Sequence, residues 1–187
     1  MQGRRIVKLI KPVVTVLSKV FSFFPLLFKE MIYNLTMFIP TKLGVLIRLV
    51  VIKGIIKCGD NIYIATNVRI KNFEGLLIGD NVSFHENCYI DAIGGIEIKD
   101  DVSIAHNCSI VSFEHDWSDD KVSIKYNELK KKGIFINSDV WVGCGSRILA
   151  GAYVDSRVII AAGSVVKGDL NSNCIYAGVP AKEIKKI

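Results

Sequence analysis

No two cysteines in this chain lie close enough in sequence to form a metal knot or a redox motif. The five (Cys58, Cys88, Cys108, Cys144 and Cys174) are scattered without a CxxC. An odd number at such spacing argues against a disulfide framework. They are expected as small buried residues in a reducing compartment, the cytoplasm. Long uncharged runs are also missing. Within residues 1–57 the longest, Met31 to Thr41, is eleven residues, short of the roughly 20 that a bilayer-spanning helix needs. The opening MQGRRIVKLIKP and the following VVTVLSKVFSFFPLLF have the look of a secretory signal, but Lys19 interrupts the apolar part. No small-x-small cleavage site follows it. The net charge is +6 and the pI about 9.0, which favours an anionic partner. The basic residues do not alternate with aromatics as in a nucleic-acid-binding motif, so no nucleic-acid partner is expected.

What is present divides the 187 residues into one domain and an appendage. Apolar residues make up half the chain and concentrate at the N-terminus. Residues 1–57 are expected to be helical, apolar on one side and basic on the other. Such helices either lie at a membrane surface, here the inner face of the cytoplasmic membrane, or cap the following domain or a neighbouring subunit.

From Cys58 the chain reads as hexads. CGDNIY, IATNVR and IKNFEG are followed by LL; IGDNVS, FHENCY and IDAIGG by IE; IKDDVS, IAHNCS and IVSFEH by a break. The pattern resumes with INSDVW, VGCGSR, ILAGAY, VDSRVI, IAAGSV and VKGDLN. The first position is Ile, Val or Phe in all but the Cys58 hexad, and the fifth is mostly small. Eleven of the fifteen fourth positions are Asn, Asp or Gly, residues that tolerate a left-handed backbone and so offer a corner every six residues. Three strands and three corners make one triangular coil of about eighteen residues, and stacked coils fill the prism with first-position side chains. The class is mainly β, a parallel β-helix of about five coils over 58–175, with a loop at 116–135 and a basic tail at 176–187. The fourth position departs at Phe73, Ile93, Phe113 and Arg157. The first three all stand in the third hexad of a coil and precede inserted residues, so a functional site is expected along that edge.

The IGDNVS-type hexads, the segment INSDVWVGCGSRILAGAYV and the ending AAGSVVKGDL…YAGVPAKEIKK resemble the hexapeptide-repeat acetyltransferases. Within these they are most similar to sugar O-acetyltransferases of the galactoside and maltose type and their capsule and lipopolysaccharide relatives. The resemblance covers about residues 58–187. It implies a left-handed β-helix, a homotrimer, acetyl-CoA as co-substrate without a metal, and acetyl transfer to a saccharide hydroxyl, here in surface polysaccharide synthesis. The family's catalytic histidine falls on His115, at the start of the inserted loop, where imidazole is suited to accept a hydroxyl proton at neutral pH. By the same resemblance Cys144 and Ala162 lie along the acetyl-CoA arm, and Lys167, Lys182 and Lys185 lie on or beside phosphate-binding positions. Gly168 stands where relatives carry a second basic residue. His85 is a candidate for binding the acceptor; Asp91 is a candidate for that role or for orienting His115. His106 is expected at the surface. Stacking places Gly94 and Gly95 roughly beneath Glu114 and His115, leaving room for a substrate, and an amide near Gly143–Cys144 is a candidate oxyanion donor. Rival readings are N-acyl transfer to an amino sugar or nucleotide sugar, a non-catalytic scaffold, and a zinc site of the γ-type carbonic anhydrase kind. The last needs three convergent imidazoles, whereas His85, His106 and His115 occupy three different hexad positions.

Overall fold

The computed structural model describes residues 2–187. From Tyr63 onward short strands wind into a three-sided solenoid. The first face starts with Tyr63–Ile64, the second with Arg69–Lys71 and the third with Leu76–Ile78. The second and third faces each hold five parallel strands. The first holds seven, of which the last, Lys182–Lys186, runs antiparallel to Cys174–Ala177. There are thus five complete coils and a sixth strand on one face, and the basic tail is itself a strand.

Every first-position side chain from Ile64 to Val166 is buried. The fifth-position residues Ile62, Val68, Val82, Cys88, Val102 and Cys108 join them in one core. At the corners Asn61, Asn67, Asn81, Asn87, Asp101, Asn107 and Asp139 have φ between 56° and 61°. Their side chains bond up the stack: Asn61 donates to Asn81 at 2.9 Å and Asn81 to Asp101 at 2.9 Å. A short carboxamide both tolerates the left-handed backbone and satisfies its neighbour. Arg157 adopts the same corner, φ 57°, despite its side chain, and reaches Asp139 at 3.2 Å.

The inserted pairs are not loose corner loops. Leu76–Leu77 and Ile96–Glu97 form the starts of the third-face strands Leu76–Ile78 and Ile96–Ile98, and each adds one inward residue. The first coils therefore repeat every 20 residues, from Tyr63 to Ser83 to Ser103. Later coils tighten to 18 residues between Trp141 and Ile159 and 16 between Ile159 and Ile175.

Three helices precede the prism: α1 (Gln2–Ser22), α2 (Leu26–Thr36) and α3 (Thr41–Ile55). Pro25 and Pro40 stand immediately before α2 and α3, where an absent amide leaves no helical bond unmade. The helices cap the first coil. Tyr33 packs edge-on against Phe73, with centroids 5.2 Å apart, and its hydroxyl donates to the Val68 carbonyl at 2.9 Å. Arg48 is fully buried. Its Nε donates to Ile64 O, and Nη1 donates to Thr36 O and Ile39 O, all at 2.9 Å. One guanidinium thus ties α3, the end of α2 and the first coil together. Among the described residues no helix is long and apolar enough to cross a membrane.

Candidate functional site

The break in the repeat is a hairpin. After Ser112 the chain leaves the prism, and Phe113–His115 pairs antiparallel with Leu129–Lys131. His115 stands opposite Leu129 and Phe113 opposite Lys131, so these four side chains share one face of the ribbon. Asp116 ties the loop beyond. It accepts from the Trp117 and Ser118 amides and the Ser118 hydroxyl, and pairs with Lys130 at 2.6 Å. Lys130, followed by Ser118, holds the Asp116 carboxyl well below the usual carboxylate range. A depressed folded-state pKa means that this stabilisation is fully present above the ordinary aspartate value and fades as pH falls through the depressed one. Trp117, whose ring lies 5.3 Å from the Lys130 ammonium, reports on it. Its emission is expected to hold as pH falls to about 4 and to shift below that. In Asp116→Asn the shifted emission is expected at every pH, together with faster proteolysis between residues 117 and 128. Unchanged emission in the variant would show that the loop does not depend on this carboxylate.

Beside the ribbon, between α2 and the irregular edge joining the second and third faces, lies a cavity of about 700 Å³. Phe113 and Leu129 line it from the hairpin, Asp91 and Asn72 from the coil edge, and Glu30 and Asn34 from α2. Asp91 is buried there. Its carboxylate accepts from Asn72 Nδ2 at 2.6 Å and Tyr89 Oη at 3.1 Å. His115 itself is exposed, on the same ribbon face as the two lining residues. Sequence reading missed Glu30 and Asn34. Glu30 did leave a signal, being the one acid among residues 1–57, which contain ten lysines and arginines.

The space expected over Gly94 is filled by main chain. A Cβ there would collide with the Ser112 carbonyl oxygen and stand 2.9 Å from the Lys132 amide. This glycine lets the chain pass closely where it leaves and re-enters the prism; it does not make room for a substrate. Gly95, with φ +91°, faces open space.

The remaining candidates separate. Glu86, His106, Cys144 and Ala162 form a column along the edge between the first and second faces. Asn107 N bonds Glu86 O, Gly145 N bonds His106 O, and Gly163 N bonds Cys144 O. Cys144 is half-buried and Ala162 exposed, and a Cβ on Gly145 or Gly163 would meet nothing within 4 Å. A track of such small residues fits a narrow pantetheine arm. Lys182 pairs with Ala177 near the top of this column, and Lys185 lies farther along the first face. Lys167 follows Val165–Val166 at the far end of the second face, away from the column. The Gly143 amide is committed to Ile160 O at 2.7 Å, so of that pair only the Cys144 amide remains a candidate donor. His106, expected merely at the surface, is exposed but level with Cys144. Arg147, which the sequence did not single out, holds the carbonyls of Asn107 and Gly145 beside the column. His85 begins the same edge lower down, half-exposed, its ring 5.6 Å from that of Tyr63. Within one chain, then, Asp91 shares the cavity with the hairpin, whereas His85, Cys144 and Ala162 sit across the second face. Among the described residues no group of three or more His, Cys, Asp or Glu side chains is placed to hold a metal ion.

No family model matches the chain. The solved structures that superpose on it include a galactoside acetyltransferase in complex with coenzyme A (TM-score 0.73, 24% identity, covering 86% of this chain and 82% of that one). A maltose O-acetyltransferase from Clostridium difficile 630 (TM-score 0.70, 22% identity) covers 97% of this chain and 88% of that one. A hexapeptide-repeat acetyltransferase of Vibrio cholerae gives a TM-score of 0.72 at 18% identity, with 92% of both chains covered. The fold is that of the hexapeptide-repeat acetyltransferases, the left-handed parallel β-helix. In sequence the chain is 35% identical over 77 residues to a protein of Escherichia coli K12 named for lipopolysaccharide-biosynthesis O-acetyl transfer, WbbJ (40% of this chain, 39% of that protein). It is 35% identical over 68 residues to the galactoside O-acetyltransferase of the same organism (33% of this chain, 34% of that protein). The chain thus spans no more than about two fifths of the length of the curated relatives it matches. The resemblance read from the hexads is matched by relatives and structural neighbours alike. An N-acyltransferase from Bacillus cereus, AntD, solved with dTDP and coenzyme A, also shares the fold, with a TM-score of 0.63 at 23% identity.

Proposed function

We propose that this protein transfers an acetyl group from acetyl-CoA to a hydroxyl of a saccharide, in the synthesis of a surface polysaccharide. The observation that carries the reading is the cavity. It is polar at Asp91, Glu30 and Asn34, walled by Phe113 and Leu129, and it lies on the ribbon face that bears His115. Polar groups that accept and donate, set against an apolar wall, suit a sugar, whose hydroxyls need partners and whose ring faces are apolar. The names of the two E. coli relatives support the same reaction class.

In this reading acetyl-CoA supplies the activated acyl group. His115 takes the proton of the attacking hydroxyl and returns it to the departing sulfur, and Asp91 holds a neighbouring hydroxyl. The Cys144 amide donates to the carbonyl oxygen as negative charge develops on it. Cys144 and Ala162 hold the arm, Lys182 and Lys185 the phosphates, and Lys167, at the other end of the second face, reaches them only from a neighbouring copy. Because the column and the hairpin lie at opposite ends of the second face, the site is completed by the edge of a second copy. A homotrimer supplies three such junctions, and His85 belongs to the acceptor side of the junction. The exposed face of α1 and α2 attaches the assembly to the inner membrane surface.

The test is release of free coenzyme A from acetyl-CoA against a panel of saccharides and amino-sugar nucleotides, followed by mass analysis of the product. A mass gain of one acetyl group on a hydroxyl is expected. Acetylation of amino-sugar nucleotides alone would replace this reading with N-acyl transfer. Absence of transfer to any acceptor would leave a scaffold.

A further inference from the structure

The helical cap has an unusual surface. On α1, Val14 and Ser18 are buried, with Phe21 packed beside them. The flanking stripe of Val13, Val16, Leu17 and Val20 is also apolar, yet 50–61% exposed. Lys11, Thr15 and Lys19 take the remaining, exposed side, and a helix apolar beyond its packed face and basic beside it is suited to a membrane surface. On α2 three stripes run side by side at helical spacing. Tyr33 and Thr36 face the core, Leu26, Glu30 and Asn34 wall the cavity, and Leu27, Met31 and Leu35 point outward. At the turn between the helices Phe23 is 89% exposed and Leu27 80%. Leu26 and Phe38 belong both to this outer surface and to the cavity lining, so the apolar surface of α2 reaches the cavity mouth.

The charge of the segment completes the picture. Residues 1–57 hold ten basic residues and one acidic, a net of +9. The remaining 130 hold 14 basic and 17 acidic, a net of −3. Glu30, the one acid, lines the cavity. An apolar surface bordered by cations matches an anionic bilayer, whose headgroups take the lysines while acyl chains take the side chains.

We infer that the acceptor is a lipid-linked saccharide. Its headgroup enters the cavity from the membrane side while its acyl or prenyl portion lies along Phe38, Leu26, Leu27 and Phe23. The inference rests on the reading above that the cavity takes the acceptor. It assigns the substrate to the amphiphiles and gives the helical cap a part in substrate recognition as well as attachment. Each methylene taken up by such a surface strengthens binding about fourfold.

The experiment uses the full chain and three pairs of probes: methyl and dodecyl galactoside, glucoside and maltoside. Binding of each is measured below the micelle threshold of the dodecyl compound. Co-sedimentation is measured with phosphatidylcholine vesicles with and without phosphatidylglycerol. In at least one pair the dodecyl compound is expected to bind ten times or more as tightly as its methyl partner. Phe23→Ser/Leu27→Ser, two exposed positions outside the cavity lining, is expected to bring that ratio down to within about threefold of unity while methyl-glycoside binding is kept. Vesicle binding is expected to need phosphatidylglycerol and to be lost in the same variant. Equal affinity within all three pairs, whether both members bind or neither does, overturns the inference, even if vesicles bind. So does a wild-type assembly that ignores vesicles and a double variant of altered oligomeric mass, which would make the face a subunit contact. The transferase reading stands or falls separately, on coenzyme A release with soluble saccharides.

Discussion

His115→Ala is expected to lower turnover with acetyl-CoA and a saccharide by about 100-fold or more, the lower bound of what a positioned general base contributes. The melting temperature and the mass of the assembly are expected to stay unchanged. The side chain is exposed, and the ribbon that carries it is fixed by main-chain pairing with Leu129–Lys131 and by the Asp116 contacts. Removing the imidazole therefore removes little packing. Loss of a base that acts only as the hydroxyl attacks lowers kcat more than it raises KM, and steady-state coenzyme A release separates the two. His106→Ala provides the comparison. That imidazole is level with Cys144 on the other edge, so a large loss there with His115→Ala near wild type would move proton transfer to the column and end the role assigned to His115.

The largest stability effect is expected at Arg48. Its guanidinium is buried without a carboxylate partner, and burial lowers its pKa. The charge is met instead by three carbonyl oxygens, of Ile64, Thr36 and Ile39. Arg48→Met keeps most of the volume but leaves those three acceptors without this donor, and of them Thr36 O keeps the Ile39 amide at 3.1 Å. Each buried acceptor left unpaired costs about 1–3 kcal/mol. A loss of about 3 kcal/mol or more is expected in urea denaturation, a large part of the roughly 5–15 kcal/mol that holds a domain folded. Arg48→Lys is expected to recover only part of it, because an ammonium cannot reproduce the planar fork that joins the first coil to the end of α2. The carbonyls of Thr36 and Ile39 lie at the end of α2 and in the turn after it, and α2 is one wall of the cavity. The lysine variant is therefore expected to raise the KM for acceptor several-fold while sparing that for acetyl-CoA. Equal effects on both constants would mean that the cap does not shape the acceptor side.

These two residues also mark how far the sequence could be read. The place where the loop leaves is visible in the sequence as a break in a strict period, and the role expected for His115 there came from the resemblance, not from the spacing. Arg48 carried no such mark. In sequence it is one basic residue among ten in the N-terminal segment, and burial without a carboxylate partner is the opposite of what its charge leads one to expect. Asp91 was singled out, but its neighbours in the cavity were not. Gly94 was read as space for a substrate and instead admits the backbone of Ser112 and Lys132. The inserted pairs, read as corner irregularities, are strand residues.

The hexads alone determined the prism, its inward side chains, its left-handed corners and the place where a loop leaves it. Those features repeat between residues six positions apart along a coil and 16 to 20 apart between regular neighbouring coils, a relation set by backbone geometry. Only the tertiary structure decided that Glu30 and Asn34 line one cavity with Asp91, that His106 stands level with Cys144 while His115 lies across the second face, and that the outer surface of α2 leads into the cavity. Such pairings join segments that share no period, so nothing but packing and the pairing of main-chain donors and acceptors sets their register, and neither is written in the spacing of the residues.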